Sequence, residues 1–507
     1  MPWIRLNNFE YAGFLADINA HLLPPNTVSR LENAHCTDGV LENYMGQTQY
    51  QYTPDANPLL SLLSGGFTTP WLLGMTEDSI YSLGTASATD VTPSGGLSTV
   101  LADNNPWTGG VLHGLGILNN GVDAPMYWNE SAVAAMTNWI SGETCKTLRV
   151  FKNFLFAGNI DDGSDSYPTK VRWSTAADPG ALPASWDDSD PTNDAGSFTI
   201  SETPGSVLDF LAVGESLFVY KDDMVSEINY IGGVFIFKQT PRFKSFELLN
   251  RNCAIERRGA AYALGQDDIV IHNRDSMQSI ATKQIRRRLF NGISNSYKGR
   301  SFVAWDAANA EILFCVPWNS DTPDHAFTYS PADKKWGERD LIPSYFAGIG
   351  RFNSGDWNSD SDTWDTDASA WGSGLGGTYK TFLAGSKLGL LNDTFQLNGV
   401  DIVTVMERQA IDFGEQNNAN ERIKFISHVR PNIVADAGTQ VSVQIGTQMR
   451  LGDAVNWSTA RTFTVGTDRD LCFRENGRYI SWRVTGSAQV LWRLESLDVD
   501  VRLGALW

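Results

Sequence analysis

The chain has 507 residues, and 39 Lys and Arg against 58 Asp and Glu give it a formal net charge of −19. Hydrophobic residues make up 42% of the sequence, which is enough for a large core and excludes a disordered chain, while no apolar run approaches the roughly 18 residues of a membrane helix. The acidic balance argues against stable, nonspecific wrapping around nucleic acid, because phosphate binding needs clustered Lys and Arg.

The N-terminus and the cysteines indicate where the chain folds. The opening MPWIRLNNFE has no basic-then-apolar pattern, so we expect no signal peptide. The five cysteines lie far apart without CxxC spacing: Cys36, Cys145, Cys253, Cys315 and Cys472. They predict reduced, mostly buried thiols in a protein that folds in a cytoplasm.

A recurring strand motif organises the chain from about residue 51 to residue 395. Each copy is a four-residue strand followed by a turn-rich segment, and the copies begin at Ile80, Met126, Val171, Phe218, Ile269, Ala326 and Thr381. A period near 40–50 residues with about four strands per unit indicates a β-propeller. Seven copies do not fix the blade count. Helical periodicity is scarce, and its best candidate, Glu130 to Trp139, is equally compatible with a strand and a turn.

A Trp- and Asp-rich insertion interrupts the last propeller segments at residues 355–377. Trp357, Trp364 and Trp371 recur every seven residues among Asp and Ser, a composition too poor in helix formers for helical heptads. We therefore predict a loop, and exposed Trp in a polar loop often marks a contact surface. Its glycines fit GxGxxG without a strand-to-helix context, which also favours a flexible loop.

The pattern of apolar and polar residues changes over residues 396–507. Strict alternation places Val441, Val443 and Ile445 on one face of a strand, and a second strand from Leu497 to Leu503 repeats the pattern. We predict a separate β-sandwich-like C-terminal domain.

Catalytic and metal signals are weak throughout. HExxH, GxxxxGK[ST] and GxSxG motifs are absent, and no two of the six His have metal-ligand spacing. Two Asp-rich stretches leave calcium binding open, although neither has the EF-hand order and solvated loops are the default. They are Asp161, Asp162 and Asp165, and Asp360, Asp362, Asp365 and Asp367. We assign no catalytic, cofactor-binding or metal-binding residue and expect no enzyme and no cofactor.

One basic cluster stands out, KQIRRRLFNGISNSYKGR from Lys283 to Arg300. It has the composition to contact phosphates, but in an acidic chain it is better explained by pairing with carboxylates across a subunit boundary or by solvent exposure.

The N-terminal segment, residues 13–49, resembles the opening of the tail nozzle, or tail hub (tail tubular), proteins of short-tailed bacteriophages. The shared pattern is Asp17, Leu23-Pro24-Pro25, Asn33, Asp38-Gly39 and Gly46. His35-Cys36 replaces the Arg-Phe that usually follows the Asn. Further resemblances occur in order at Val171 to Trp186, Phe218 to Gly233, Trp357 to Trp371, Gly477 to Val484 and Trp492 to Gly504.

The resemblance implies an irregular propeller of about six blades at residues 51–395, with seven possible. It also implies a β-sandwich-like platform, which residues 396–507 build with the N-terminal segment at residues 1–50. About six copies would form a homo-oligomeric ring, or nozzle, in the virion tail, assembled in the host cytoplasm. The ring would contact head-to-tail adaptor or portal proteins and tail fibres, spikes or a needle.

Function follows from the same resemblance. The ring would continue the DNA conduit, retain the packaged genome and conduct it during ejection without sequence recognition. A negatively charged conduit fits this, because it would repel phosphate and let DNA slide. The alternative is a carbohydrate-binding or carbohydrate-cleaving propeller of the tail, for which the sequence does not single out a carboxylate pair. A propeller scaffold without a viral role is a weaker third possibility.

Overall fold

The computed structural model describes residues 3–9, 13–50, 56–66, 70–84, 87–233, 235–351, 379–414 and 416–506. The contact loop predicted around Trp357, Trp364 and Trp371, its GxGxxG glycines and the Asp-rich stretch from Asp360 to Asp367 lie outside these residues. Within them the chain is almost entirely β, as the sequence predicts, and no helix is long and apolar enough to cross a membrane.

The strands of the described chain follow in order. The N-terminal segment contains β1 (Trp3–Asn7), β2 (Arg30–Glu32), β3 (Ala34–Thr37), β4 (Val40–Asn43) and β5 (Gln47–Gln49). Blade 1 contains β6 (Ser61–Gly65), β7 (Trp71–Met75), β8 (Ile80–Leu83) and β9 (Ala88–Asp90), and blade 2 contains β10 (Thr108–Leu112), β11 (Leu115–Asn119), β12 (Met126–Trp128) and β13 (Val133–Ala135). Blade 3 contains β14 (Thr144–Phe151), β15 (Phe154–Asp161), β16 (Ser166–Trp173) and β17 (Gly196–Thr199).

The remaining blades continue the pattern. Blade 4 contains β18 (Val207–Val213), β19 (Ser216–Lys221), β20 (Val225–Tyr230) and β21 (Phe237–Phe243), and blade 5 contains β22 (Ala254–Arg257), β23 (Ala260–Leu264), β24 (Ile269–His272) and β25 (Met277–Ser279). Helix α1 (Thr282–Gly292) precedes blade 6, which contains β26 (Phe302–Asp306), β27 (Glu311–Val316), β28 (His325–Ser330) and β29 (Lys335–Asp340). Blade 7 contains β30 (Ser344–Gly350), β31 (Lys380–Gly385) and β32 (Leu388–Leu391), with β5, β33 (Gln396–Leu397) and β34 (Val400–Asp401).

The seven sheets close into a propeller. The first strand of each blade packs against the first strand of the next, and β30 of blade 7 packs against β6 of blade 1. Strand β5 completes blade 7, pairing Gln49 with Gly389 of β32, so strands from distant parts of the chain close the ring. The described residues thus give seven blades, the count that the sequence left open, rather than about six.

The α-helix of the described chain lies in the segment that the sequence marks only by its charge. The stretch from Glu130 to Trp139 contains strand β13 and turns, whereas the basic cluster from Lys283 to Arg300 contains α1. Its Arg and Leu are good helix formers, and Ile285 and Leu289, four residues apart, are both fully buried. In the sequence, the charged residues around Ile285 and Leu289 mask this apolar pair, whose burial holds the helix against the core.

The platform is a sandwich of two sheets. Its strands are β35 (Thr404–Ile411), β36 (Arg422–Val434), β37 (Gln440–Gln448), β38 (Asn456–Trp457), β39 (Arg461–Thr464), β40 (Leu471–Gly477), β41 (Tyr479–Gly486) and β42 (Arg493–Leu506), together with β1 to β4. One sheet continues blade 6 through β29, β3, β4, β42, β36 and β40, while β1 pairs with β42; the other has the order β2, β35, β41, β37, β38. The alternating residues behave as predicted, since Val441, Val443 and Ile445 are buried between the sheets.

Propeller and platform share one hydrophobic core. A single cluster of buried side chains contains Tyr220 of blade 4, Ala263 of blade 5, Phe314 of blade 6 and Trp482 of the platform. The two parts are therefore packed together as well as joined by a sheet.

Candidate functional site

Four parts of the N-terminal pattern, Asp17, Leu23-Pro24, Asn33 and Gly46, make contacts where the N-terminal segment lies between blade 6, α1 and the platform. We call this region the junction. Asp17 accepts hydrogen bonds from two backbone N–H groups of α1, at 2.6 Å from Arg287 and 3.0 Å from Arg288. Both carboxylate oxygens accept from the backbone of α1, so Asp17 ties the segment to this helix through charge-assisted hydrogen bonds.

The Leu23-Pro24 element is held by a buried arginine of the platform. The Arg408 guanidinium donates to the carbonyl oxygens of Ala20 at 2.7 Å, Leu23 at 2.6 Å and Pro24 at 3.3 Å. Burial lowers the pKa of Arg408 to about 10, which leaves it charged at neutral pH. Proline-rich backbone has few N–H donors, and a guanidinium with five donors satisfies its carbonyls from one side.

Asn33 joins the segment to the end of blade 6. It adopts a left-handed conformation at φ 53° and is buried. Its amide donates to Asp340 Oδ2 at 2.8 Å and to the Val403 carbonyl at 3.0 Å, and its Oδ1 accepts from the Asp340 N–H at 2.8 Å. Asn tolerates this backbone region better than most residues, and its side chain both donates and accepts here.

His35, the departure from the family pattern, lies at the centre of a buried polar cluster. Its Nδ1 is 2.8 Å from Glu311 Oε1 of blade 6, and the Tyr44 hydroxyl donates to Glu311 Oε2 at 2.5 Å. Burial alone would lower the pKa of His35, but Glu311 and Glu42 outweigh it and raise the pKa from 6.5 to about 9. His35 is therefore charged at neutral pH and forms a buried ion pair with Glu311.

A second buried carboxylate, Glu338, lies on strand β29 of the same blade. Arg288 of α1 forms a bidentate pair with it, with Nε at 2.5 Å and Nη2 at 2.8 Å from its two oxygens. His325 Nε2 is 3.6 Å from Glu338, and its Nδ1 is 3.3 Å from Asp340. These carboxylates raise the pKa of His325 to about 9 against the opposing effect of burial. These buried charge pairs hold α1, blade 6 and the N-terminal segment in one relative position. Separating any pair would leave an uncompensated buried charge, which is strongly destabilising.

Close packing completes the junction at Gly46. A Cβ at Gly46 would lie 2.1 Å from the Gln396 carbonyl oxygen and 2.6 Å from Ile402 Cδ1, so only glycine fits. Nearby, Arg339 donates to the Met45 carbonyl at 2.7 Å. The junction is closely packed at Gly46, and its paired charges make it a connector between blade 6, α1 and the platform.

The propeller axis is closed at one end by a second polar network. The Asn105 amide, just before blade 2, donates to the carbonyl oxygens of Arg251 at 2.9 Å and Ser301 at 2.7 Å, which precede blades 5 and 6. Arg149 of blade 3 pairs with the buried Asp209 of blade 4 at 2.8 Å. Because blades that are not neighbours touch directly, the axis of a single propeller is not an open channel.

A cavity of ≈ 240 Å³ remains on the axis between blades 1, 5, 6 and 7. Its lining is mainly apolar and includes Leu62, Leu72, Trp305, Phe346 and Ile349, and no carboxylate lines it. It offers apolar contact without the convergent polar groups of a typical ligand site.

The other sequence signals have local partners. In the hairpin of blade 3, Asp162 Oδ1 accepts the N–H groups of Ser164 at 2.9 Å and Asp165 at 2.7 Å. Among the described residues, no group of three or more His, Cys, Asp or Glu is placed to hold a metal ion. In the basic cluster, Arg286 pairs with Asp267 and Arg300 with Asp103, so these two cations have carboxylate partners within the chain.

The cysteines and histidines were only partly predictable. Four cysteines are buried and Cys472 is exposed. His35, His272 and His325 are buried, and the sequence carried no signal that His35 and His325 face carboxylates of distant strands.

No family model matches the chain, and no curated protein matches it. Among solved structures, an extracellular domain of the B. thetaiotaomicron protein BT4673 aligns at 9% identity and a TM-score of 0.42, over 82% of this chain and 48% of that one. The Neurospora crassa Pan2 WD40 domain aligns at 8% identity and a TM-score of 0.39, over 71% of this chain and 98% of that one. The AfRom2 CNH domain aligns at 9% identity and a TM-score of 0.36, over 69% and 98%. The chain spans about half the length of the first of these.

Proposed function

We propose that this chain is a structural component of a short bacteriophage tail, in which about six copies form a ring, or nozzle, that continues the DNA conduit below the portal and adaptor. The ring retains the packaged genome and conducts it during ejection. The observation that supports this most is the junction, where residues 17, 24, 33 and 46 of the resemblance each make a specific structural contact.

The junction is suited to a protein that must resist mechanical force. A wall unit next to pressurised DNA must keep its two halves in one orientation, and buried ion pairs with a shared core do so better than a surface contact between domains. The acidic balance of the chain, −19, suits a wall that DNA passes without binding.

The closed axis bears on where the proposed conduit would run. Since Asn105 bridges to Arg251 and Ser301 across the propeller, DNA does not thread a single propeller. The conduit would instead run between copies, with each propeller and platform forming one segment of its wall.

The alternative, a propeller that binds or cleaves carbohydrate, gains no support from the axial cavity. Its lining is apolar, and its one hydroxyl, of Ser64, donates to the Ile349 carbonyl. Glycoside hydrolysis generally uses two carboxylates about the scissile bond.

Quantitative mass spectrometry of purified virions tests the proposal. We expect about six copies per particle against the usual dozen or so of a portal, as for a closed ring on the tail axis. Absence from virions would contradict the nozzle function and turn attention to polysaccharide turnover. A multiple of three well above six would indicate peripheral spikes and favour receptor binding.

A further inference from the structure

The outer side of one platform sheet is exposed and rich in arginine. Strands β1, β42, β36 and β40 lie side by side there, with Leu497, Val499 and Val501 of β42 facing the core. The opposite side, which we call the platform face, carries Trp3, Arg5, Phe425, Arg430, Arg474 and Arg502. Phe425 is 47% exposed and Trp3 is 39% exposed.

This composition is that of a protein-binding surface. The Arg430 guanidinium stacks 4.8 Å above the Trp3 ring, and Trp and Arg are the residues most enriched at interface hot spots. Asp498 and Asp500 lie buried beneath, paired with Arg5 at 2.7 Å and with Arg502 at 3.7 Å. The Asp498 and Asp500 carboxylates are thus covered, and the guanidinium and aromatic groups of the platform face meet solvent beside the half-buried Asp470, which pairs with Arg430 at 3.6 Å.

A surface of opposite charge lies on blade 3. The loop between β16 and β17, residues 174–195, has no Lys or Arg and five acidic residues, Asp178, Asp187, Asp188, Asp190 and Asp194. We call it the acidic loop. It is well anchored, because Trp186 is 1% exposed and packs 4.7 Å from Trp139, and the Trp173 indole donates to the Asp194 carbonyl at 2.8 Å.

The platform sheet joins the propeller on the side of the ring opposite the blade that carries the acidic loop. The platform is joined to the propeller at blade 6 through the pairing of Glu338 with Ala34, and in a ring of seven blades, blade 3 lies across the axis from blades 6 and 7. Two different, complementary surfaces on one chain produce a head-to-tail contact, which closes into a ring when the rotation per copy permits.

We propose that the platform face of one copy binds the acidic loop of blade 3 of the next copy, and that this contact builds the ring; the inference rests on the proposed function. The occupant is a second copy because the chain itself supplies the opposite charge. The guanidinium groups would meet carboxylates, with Trp3 and Phe425 as the apolar centre of the interface.

Cysteine cross-linking tests the contact directly, because Cys472 is the exposed cysteine and pairs in register with His428 beside the platform face. Ala184→Cys, at an exposed position of the acidic loop, should be joined to Cys472 of another copy by a short bis-maleimide, both in the purified full chain and in purified particles. Peptide mapping identifies the pair. Thr89→Cys, exposed on blade 1, is the matched control and should not be joined to Cys472.

A charge swap provides an independent readout. Arg474→Glu with Arg502→Glu should reduce assembly roughly tenfold or more in sedimentation velocity, since like charges would then face each other. Adding Asp178→Lys and Asp194→Lys should restore it. Lys238→Glu with Lys244→Glu, an equal change of net charge on exposed residues of blade 4, should leave assembly unchanged.

The possible failures are distinguishable. If particles contain about six copies but the 184–472 cross-link is missing and the swap has no effect, the contact is wrong and the nozzle function stands. If the cross-link and the rescue occur in the purified chain while virions lack the protein, the contact is right and the nozzle function is wrong. A chain that stays monomeric at all concentrations and is absent from particles overturns both.

Discussion

His35 Nδ1 lies 2.8 Å from Glu311 Oε1, and this buried contact joins the N-terminal segment to blade 6. Glu42 lies 3.8 Å from the other ring nitrogen. The pKa of His35 is raised to about 9, so its contribution to stability is complete below its ordinary pKa of 6.5 and is lost as the pH rises through about 9.

We therefore expect the free energy of unfolding to fall between pH 6.5 and 9, and to fall less in His35→Gln. The fall across this pH range should be larger in the unsubstituted protein than in His35→Gln by about 3 kcal/mol, because each pKa unit corresponds to about 1.4 kcal/mol. Denaturant unfolding at a series of pH values measures it. His325→Gln should behave alike, since Glu338 and Asp340 raise the pKa of His325 in the same way. If the free energy of unfolding changed with pH in the same way in the unsubstituted protein and in both variants, these charged histidine pairs would be ruled out.

Tyr44→Phe removes one hydroxyl from the junction without changing its shape. The hydroxyl lies 2.5 Å from Glu311 Oε2 and 2.7 Å from Thr328 Oγ1. Loss of a hydrogen bond to a buried carboxylate should lower the free energy of unfolding by about 1.5–3 kcal/mol. Tyr167→Phe, at a residue 41% exposed, is the control and should change it by less than about 0.5 kcal/mol. Equal effects of both substitutions would argue against a special role for the junction.

Arg408→Met should loosen the Leu23-Pro24 element, because three carbonyl oxygens lose their donor. We expect a loss of about 3 kcal/mol or more, since several buried acceptors are left unsatisfied. Hydrogen exchange should rise first in residues 13–28, where N–H groups hydrogen bond within the same segment. The control is Arg461→Met, at an exposed residue. Unchanged exchange in residues 13–28 would show that Arg408 does not hold the segment.

Gly46→Ala tests close packing at the strand that completes blade 7. The new Cβ would lie 2.1 Å from a backbone carbonyl, so the chain must shift, at a cost of about 1–3 kcal/mol. Thermal unfolding measures the loss. Gly95→Ala, which would meet nothing within 4 Å, should be neutral. A neutral Gly46→Ala would mean that β5 and β33 separate easily.

Deletion of residues 357–371 tests the Trp- and Asp-rich loop predicted from the sequence. If the loop contacts neighbours or gates the conduit, particles should assemble poorly or lose their genome. DNA content and infectivity of the purified particles provide the readout, and normal infectious particles would refute the role.

Much of the fold was accessible from the sequence because it depends on local patterns. The alternation of Val441, Val443 and Ile445 fixed which face of β37 is buried, and the repeat spacing indicated a propeller. Asp17 and Asn33 were recognisable as members of a motif, although the motif alone did not say what they touch.

Long-range contacts were decided by the tertiary structure alone. His35 contacts Glu311, and Asn105 contacts Ser301, although each pair is hundreds of residues, or nearly so, apart in the chain. Local sequence patterns carry no information about such pairs. The count of seven blades also depended on them, because the closing strand β5 comes from the N-terminal segment, far from β32 in the chain. The sequence by itself determined the strands and the faces they bury, since hydrophobic alternation acts over a few residues. Only tertiary packing decided which charges are buried together, because their pairing depends on the position of strands hundreds of residues apart.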